Sequence, residues 1–219
     1  MRIIITTTPN NKIIPFEYQQ LLTGAIHKWL GSNNEEHDAL SLYSFSWLKN
    51  GRAEKAGINF MYGATFFISS FDEGIIKKII TGIQNDPTMF CGMAVRELTI
   101  QQTPQFGNEA SFSLASPVFI KRRLDDRIKF YYHDDDESDT FMTETLVKKL
   151  NEAGIDSKNV QVAFDKNYRN PSRKGTTYKG VKSIGSICPV IIKGTPEQIA
   201  FAWNVGLGNS TGIGFGALV

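Results

Sequence analysis

Gly206-Leu207-Gly208-Asn209-Ser210-Thr211-Gly212-Ile213-Gly214-Phe215-Gly216 packs five glycines into eleven residues close to the end of the sequence. Glycine permits positive φ and close backbone approach, and successive amide N–H groups can form an anion-binding nest. A plain helix-to-strand turn needs one or two glycines, so five imply that something comes close to this backbone. The stretch is not a Walker loop, because no Gly-Lys-Ser/Thr follows it. It is not the dinucleotide fingerprint either, because it follows a helix and opens a strand, the reverse order. The preceding helix opens at Thr195-Pro196-Glu197-Gln198, a capping-box pattern with proline in the first turn, and runs to about Val205. The strand that follows is Phe215–Val219.

Outward from this end, the second half reads as strands at Ala110–Leu114 and about Val118–Tyr132, then a helix at Thr140–Ala153. Phe141, Leu146 and Leu150 are that helix's apolar positions, and Gly154 is a natural stop. Strands follow at Val160–Phe164 and near Cys188–Lys193, before the last helix. The first half has the same order. A strand at Arg2–Thr8 leads to a helix at about Phe16–Leu30, with Leu21, Leu22, Ala25, Ile26, Trp29 and Leu30 as its stripe. One or two strands lie in Asn59–Ser69 around Gly63; a helix at Asp72–Gln84 and a strand at Val95–Gln102 complete the half. Each half fits a βαββαβ unit. The chain is therefore expected to be α+β, with two tandem ferredoxin-like, RRM-like domains at 1–105 and 106–219. The boundary falls near Thr103–Asn108, where Pro104 and Gly107 interrupt the strands.

Composition excludes several classes. The 219 residues are 41% hydrophobic and 21% charged, an ordinary globular balance with enough chain to bury a core. Two cysteines, Cys91 and Cys188, cannot build a disulfide framework or a four-thiolate zinc site, so the chain reads as cytoplasmic. No apolar run approaches the ~20 residues of a membrane helix. Met1-Arg2-Ile3-Ile4-Ile5 turns polar too soon for a signal peptide. The net charge of +2 hides opposite patches: +7 between Lys166 and Lys193, and −5 between Asp134 and Asp139. The acidic run reads as a solvated loop, since consecutive acids on a tip lack the fixed geometry Mg²⁺ wants. The basic stretch interleaves Tyr168 and Tyr178 with its cations. Such a run attracts phosphate and can stack bases, or it is a flexible solubilising loop; both readings stand at this point.

The spacing Gly-h-Gly, five residues, Gly-h-Gly (h apolar) is filled by Gly206-Leu207-Gly208 and Gly214-Phe215-Gly216. It resembles the signature of the repeat-associated RNA-binding (RAMP) superfamily of CRISPR systems. The rest resembles one branch of it, the "Cas six" endoribonucleases that cut precursor CRISPR RNA. Tyr43-Ser44-Phe45-Ser46-Trp47-Leu48, Leu114-Ala115-Ser116-Pro117 and Lys193-Gly194-Thr195-Pro196-Glu197 carry that likeness across nearly the whole chain. The resemblance implies metal-independent cleavage with no cofactor. The 2′-hydroxyl attacks the scissile phosphate, leaving a 2′,3′-cyclic phosphate and a 5′-hydroxyl. Such a reaction needs a base, an acid and a cation at the phosphorane.

His37 matches the position of a catalytic histidine in this family, shortly before the aromatic-Ser motif, and His27 stands where many members carry a tyrosine. A helical projection places His27 about 150° from the centre of its helix's apolar stripe, on a face with Gln20 and Gly24 that leaves room for a ligand. Acids around His37 favour its imidazolium, which makes it the acid and His27 the base; the reverse assignment stays open. His133 is expected to be a surface loop residue outside the site. Ser41 stands where several relatives have a lysine, and Lys49 and Arg52 are nearby cations that match no family position. RNA contacts are expected from Arg169, Arg173, Lys174, Lys179 and Lys182, with Lys121, Arg122 and Arg123. The glycine loop, with Gly206, Gly208, Gly212, Gly214 and Gly216, is expected beside the RNA and the first domain. The implied partner is CRISPR repeat RNA, with no membrane. Dimers and effector complexes occur among relatives, and Phe66-Phe67-Ile68 could face the core or a partner. The alternative function is a non-catalytic RAMP subunit that holds guide RNA.

Overall fold

The computed structural model describes residues 1–31, 41–124 and 127–219. The first half runs β1 (Arg2–Thr7), α1 (Gln19–Leu30), β2 (Tyr43–Phe45), a small hairpin of β3 (Arg52–Glu54) and β4 (Gly57–Asn59), β5 (Thr65–Ser70), α2 (Glu73–Asn85) and β6 (Val95–Gln101). Its sheet has the order β2-β5-β1-β6 with every pair antiparallel, the ferredoxin-like topology. Ile75, Ile76, Ile79 and Ile83 of α2 and Leu22, Ala25, Ile26 and Trp29 of α1 bury against Ile3, Ile5, Phe66 and Ile68. Each fully buried side chain of this size contributes about 1.5–3 kcal/mol, so the paired stripes hold both helices to one sheet face. Leu21 departs from the expected stripe and is exposed. Strand β2 goes beyond what the sequence predicts, because three residues are too short to show a period.

The second half runs β7 (Glu109–Phe112), a hairpin of β8 (Ile120–Leu124) and β9 (Arg127–Tyr131), α3 (Ser138–Glu152) and β10 (Gln161–Phe164). A second hairpin of β11 (Ser172–Tyr178) and β12 (Val181–Ile187) precedes β13 (Val190–Lys193) and α4 (Pro196–Val205). The sheet order is β10-β13-β7. Its fourth strand is reduced to a bridge between Leu114 and Leu218, where Ser113 and Val219 exchange both backbone hydrogen bonds, at 3.0 and 2.9 Å. The expected strand Phe215–Val219 is shorter because Gly216, at φ +67°, cannot lie in a strand. The expected capping box is present: Gln198 N donates to Thr195 Oγ1 at 3.3 Å, and Thr195 N donates to Gln198 Oε1 at 2.9 Å. The basic stretch is an ordered hairpin. Its charged and glycine-containing strands carry no apolar alternation; their mutual pairing, Ser172 opposite Ile187 through Tyr178 opposite Val181, makes them strands, and Ser186 bridges to Val118.

The halves meet through Arg2. Its guanidinium is buried between the rings of Phe67 and Trp203, 3.7 and 3.5 Å from their centroids, and donates to the carbonyls of Trp203 and Leu218. Burial draws its pKa down to about 9. Phe66 and Ile68 face the first core, while Phe67 packs on Ala115 and Ala217 of the second half. Both faces of Phe66-Phe67-Ile68 are thus covered by the chain itself, and none is offered to a partner. Among the described residues, no helix is long and apolar enough to cross a membrane.

Candidate functional site

The glycine backbone is closely approached, as its composition implies, and what approaches is this protein's own chain. A Cβ on Gly206 would lie 2.9 Å from Ser44 Cβ, and one on Gly214 would lie 2.8 Å from the Phe45 ring. At Gly208 it would meet the Phe119 carbonyl at 2.5 Å, and at Gly212 it would collide with Ser41. Polar contacts follow the same map. Trp47 Nε1 donates to the Gly214 carbonyl at 2.7 Å, Ser44 Oγ donates to the Asn204 carbonyl at 3.2 Å, and Gly216 N donates to Pro117 O at 2.8 Å. Trp47 N donates to Ala115 O at 3.1 Å. The motifs at 43–48, 114–117 and 206–216 therefore clasp one another. The turn is mostly buried, with Asn209, Ser210 and Ile213 its half-exposed positions.

Lys149 anchors this joint from α3. Its side chain is fully buried, and Nζ donates to the carbonyls of Val205 and Gly206 at 3.2 Å and to Thr211 Oγ1 at 3.1 Å. The two carbonyls are the C-terminal end of α4, where the helix dipole favours a cation. Desolvation pulls the pKa of Lys149 down to about 7. Sequence reading does not single this residue out. A lysine on the apolar stripe of a helix is the signal that could have found it.

His27 lies on the edge of the joint. Its Nε2 is 3.3 Å from the Tyr43 hydroxyl, which donates to the Gly212 carbonyl at 3.2 Å. The Tyr43 hydroxyl thus stands between the His27 ring and the glycine turn. His27, Ser41, Tyr43, Tyr178, Lys179 and Ser210 line a cleft of about 190 Å³. The face of α1 that carries His27 leaves Gln20 and Gly24 exposed, as the helical projection suggested, but it is not bare. The tip of the β11–β12 hairpin lies across it: Thr177 Oγ1 donates to Glu17 Oε1 at 2.7 Å, and Lys179 N donates to Gln20 Oε1 at 3.3 Å. A cover that arrives from 160 residues away leaves no trace in the helix's own periodicity.

Residues 101–219 match the family model for the C-terminal part of the CRISPR-associated protein Cas6, more than half of the chain. The chain belongs to the Cas6 family. Three solved structures each cover the whole chain. One, from work on a Cas6-related gene of Pyrococcus furiosus, is 22% identical with a TM-score of 0.86 over 97% of its own length. A RAMP protein described as binding different RNA substrates is 20% identical, at 0.84 over 98% of its length. A CRISPR-associated protein Cas6 is 22% identical, at 0.83 over 98%. These likenesses carry the fold, two ferredoxin-like domains in tandem. No curated protein matches the sequence. Membership of the Cas6 family supports processing or binding of CRISPR repeat RNA.

Within this Cas6 fold the anticipated residues separate. His27 is in the cleft, whereas His37 lies outside the described residues. Ser41 packs on Gly212. Lys49 lines a separate groove with Arg2, Phe67 and Trp203, and Arg52 is exposed on β3; neither lines the His27 cleft. Arg173 is committed to Asp134, donating to both carboxylate oxygens, and stacks 3.9 Å from the Tyr132 centroid. That guanidinium holds the Asp134 carboxyl below its ordinary range. Lys166 likewise lies 3.5 Å from Asp139, so the acidic run partly neutralises the basic stretch. Arg122 turns to α3, where it pairs with Glu144 at 3.1 Å. Lys121 remains exposed, and its backbone N donates to Asn209 Oδ1 at 2.9 Å, tying β8 to the glycine turn. Arg169, Lys174, Lys179 and Lys182 are exposed, as is Arg123 on β8. His133 is half-buried, edge-on to Phe164, and does not line the cleft.

Proposed function

We propose that this chain is a metal-independent endoribonuclease that cuts CRISPR repeat RNA in precursor transcripts and leaves mature guide RNAs. The observation that carries the reading is His27. It is held by Tyr43 on the wall of a cleft that both domains line, beside an exposed cationic hairpin. His27, its ring held beside Tyr43, takes the proton from the 2′-hydroxyl upstream of the cut. The 2′-oxygen bonds to phosphorus, the P–O5′ bond breaks, and an acid returns a proton to the leaving 5′-oxygen. His37, four residues before the cleft residue Ser41 in sequence, is that acid in this scheme. Histidine suits both steps because its pKa lies near neutrality. RNA is held by Arg169, Lys174, Lys179 and Lys182, with Lys121. We place the domain boundary between β6 and β7, and the scissile phosphate on the first domain's side of the joint.

The test is incubation with the repeat RNA of the protein's own locus in EDTA, beside His27→Ala and His37→Ala. The expected wild-type products carry a 2′,3′-cyclic phosphate and a 5′-hydroxyl, and each variant slows cleavage by about 10²–10⁴-fold. Tight binding without cleavage by the wild type would replace this reading with the guide-holding subunit.

A further inference from the structure

The nuclease reading leaves one part of the chemistry without a residue. The phosphorane needs a cation, Ser41 on the cleft wall carries no charge, and Lys49 and Arg52 do not line the cleft. The lysine that does line it comes from the other half of the chain. We propose that Lys179, carried on the tip of the β11–β12 hairpin, is the catalytic cation that binds a non-bridging oxygen of the scissile phosphate; this rests on the nuclease reading above.

Several independent features of the hairpin converge on this assignment. Tyr178 pairs directly with Val181, so Lys179 and Gly180 form a two-residue turn, with φ of +47° and +77°. Two positive φ values mark the type I′ turn, whose first position ordinarily takes Asn, Asp or Gly. A lysine there is a strained choice, and such strain concentrates at functional sites. The tip is also indexed on the helix that carries the histidine. Thr177 is bonded to Glu17 just before α1, and the Lys179 amide to Gln20 within it. The position of Lys179 relative to His27 is thereby set by two hydrogen bonds and not by the flexible length of the hairpin.

Charge is sorted along the same hairpin. At its base Arg173 is neutralised by Asp134. At its tip Lys179 has no ion-pair partner among the described residues, and its Nζ lies 5.7 Å from the Tyr178 ring, another wall of the cleft. An ammonium group on a residue of the cleft that also holds the histidine stabilises negative charge as it grows on the equatorial oxygens, which is the contribution a preorganised donor makes to a transition state.

The decisive experiment separates binding from chemistry. Single-turnover cleavage of the locus's own repeat RNA is measured at saturating protein. Affinity is measured separately, on the same RNA with a 2′-deoxy nucleotide upstream of the cut mapped with wild type. Lys179→Asn keeps a residue suited to the left-handed turn, and Lys179→Arg keeps the charge. Lys179→Asn is expected to lower the saturated rate by about 10²–10³-fold, the effect of removing one oxyanion donor, with affinity for the uncleavable RNA within about threefold. Lys179→Arg is expected to recover part of the rate. A saturated rate in Lys179→Asn equal to wild type, or a loss confined to affinity, would overturn the assignment and leave Lys179 a binding residue. A wild type that binds the RNA and never cuts it would overturn the nuclease reading itself, and this assignment with it.

Discussion

The glycine turn and the basic hairpin reach His27 from different sides and are built on opposite terms. The turn is sealed: its glycines lie against Ser41, Ser44, Phe45 and Phe119, and its anchor, Lys149, is buried and held by carbonyl and hydroxyl oxygens. The hairpin is open: its lysines are exposed, and it touches the first domain through hydrogen bonds at its tip. One region is specified by what it excludes, the other by what it presents. A dense glycine pattern can therefore serve the close approach of one part of the chain to another. Here it lets two domains come close enough for Tyr43 to reach both His27 and Gly212.

Two glycines with similar backbones give the sharpest contrast. Gly216 has φ +67° and would drive a Cβ into the Leu207 carbonyl, whereas Gly180 has φ +77° and nothing within 4 Å. Gly216→Ala is expected to cost more than about 4 kcal/mol, because collision adds to the conformational penalty. Gly180→Ala is expected to cost about 1–2 kcal/mol, the left-handed penalty alone. Urea denaturation of both variants measures the difference; equal losses would mean that the turn is not sealed.

Lys149→Met comes next. It leaves the Val205 and Gly206 carbonyls and Thr211 without their donor, at a cost of about 1–3 kcal/mol. The pH dependence has a definite sign. The folded pKa of about 7 lies below the ordinary lysine value of 10.5, so the unfolded chain binds the extra proton between those values. Wild-type stability relative to Lys149→Met therefore rises with pH from about 7 toward 10, by at most about 1.4 kcal/mol per pH unit, and is flat below 7. Urea melts of both proteins at about pH 6, 7, 8.5 and 9.5, on either side of the folded value, check it; a difference that falls with rising pH would contradict a buried, desolvated ammonium.

The smallest expected effect is on the hairpin. Lys174→Ala with Lys182→Ala should leave stability within about 0.5 kcal/mol. The salt dependence of RNA binding should flatten by about 0.7 in slope for each phosphate that the pair of substitutions leaves without a cation. Filter binding across a salt series reads that slope. An unchanged slope would place the RNA elsewhere than on the hairpin.

Much of the scaffold is legible in the sequence because its causes are local. The isoleucine stripe of α2 has a helical period, Thr195 to Gln198 is a cap within one turn, and glycine and proline mark stops and turns. The repeated βαββαβ order follows from such signals, and the terminal glycines mark the family. His27 is legible too, because a polar residue opposite an apolar stripe is visible in projection. The hairpin tip that lies across its face is not.

The sequence by itself determined the element order, the two-domain class, the family likeness and the residue types available for acid–base chemistry. Tertiary structure alone decided that the glycines receive the first domain's own side chains, that Arg173 is neutralised by Asp134, that Lys149 is buried beneath the turn, and that Lys179 stands in the His27 cleft. Each of those contacts joins residues roughly 40 to 170 positions apart. Local spacing carries the period of a helix and the chemistry of a cap. It does not carry the distance between two surfaces, which arises only when both cores have formed and the halves dock.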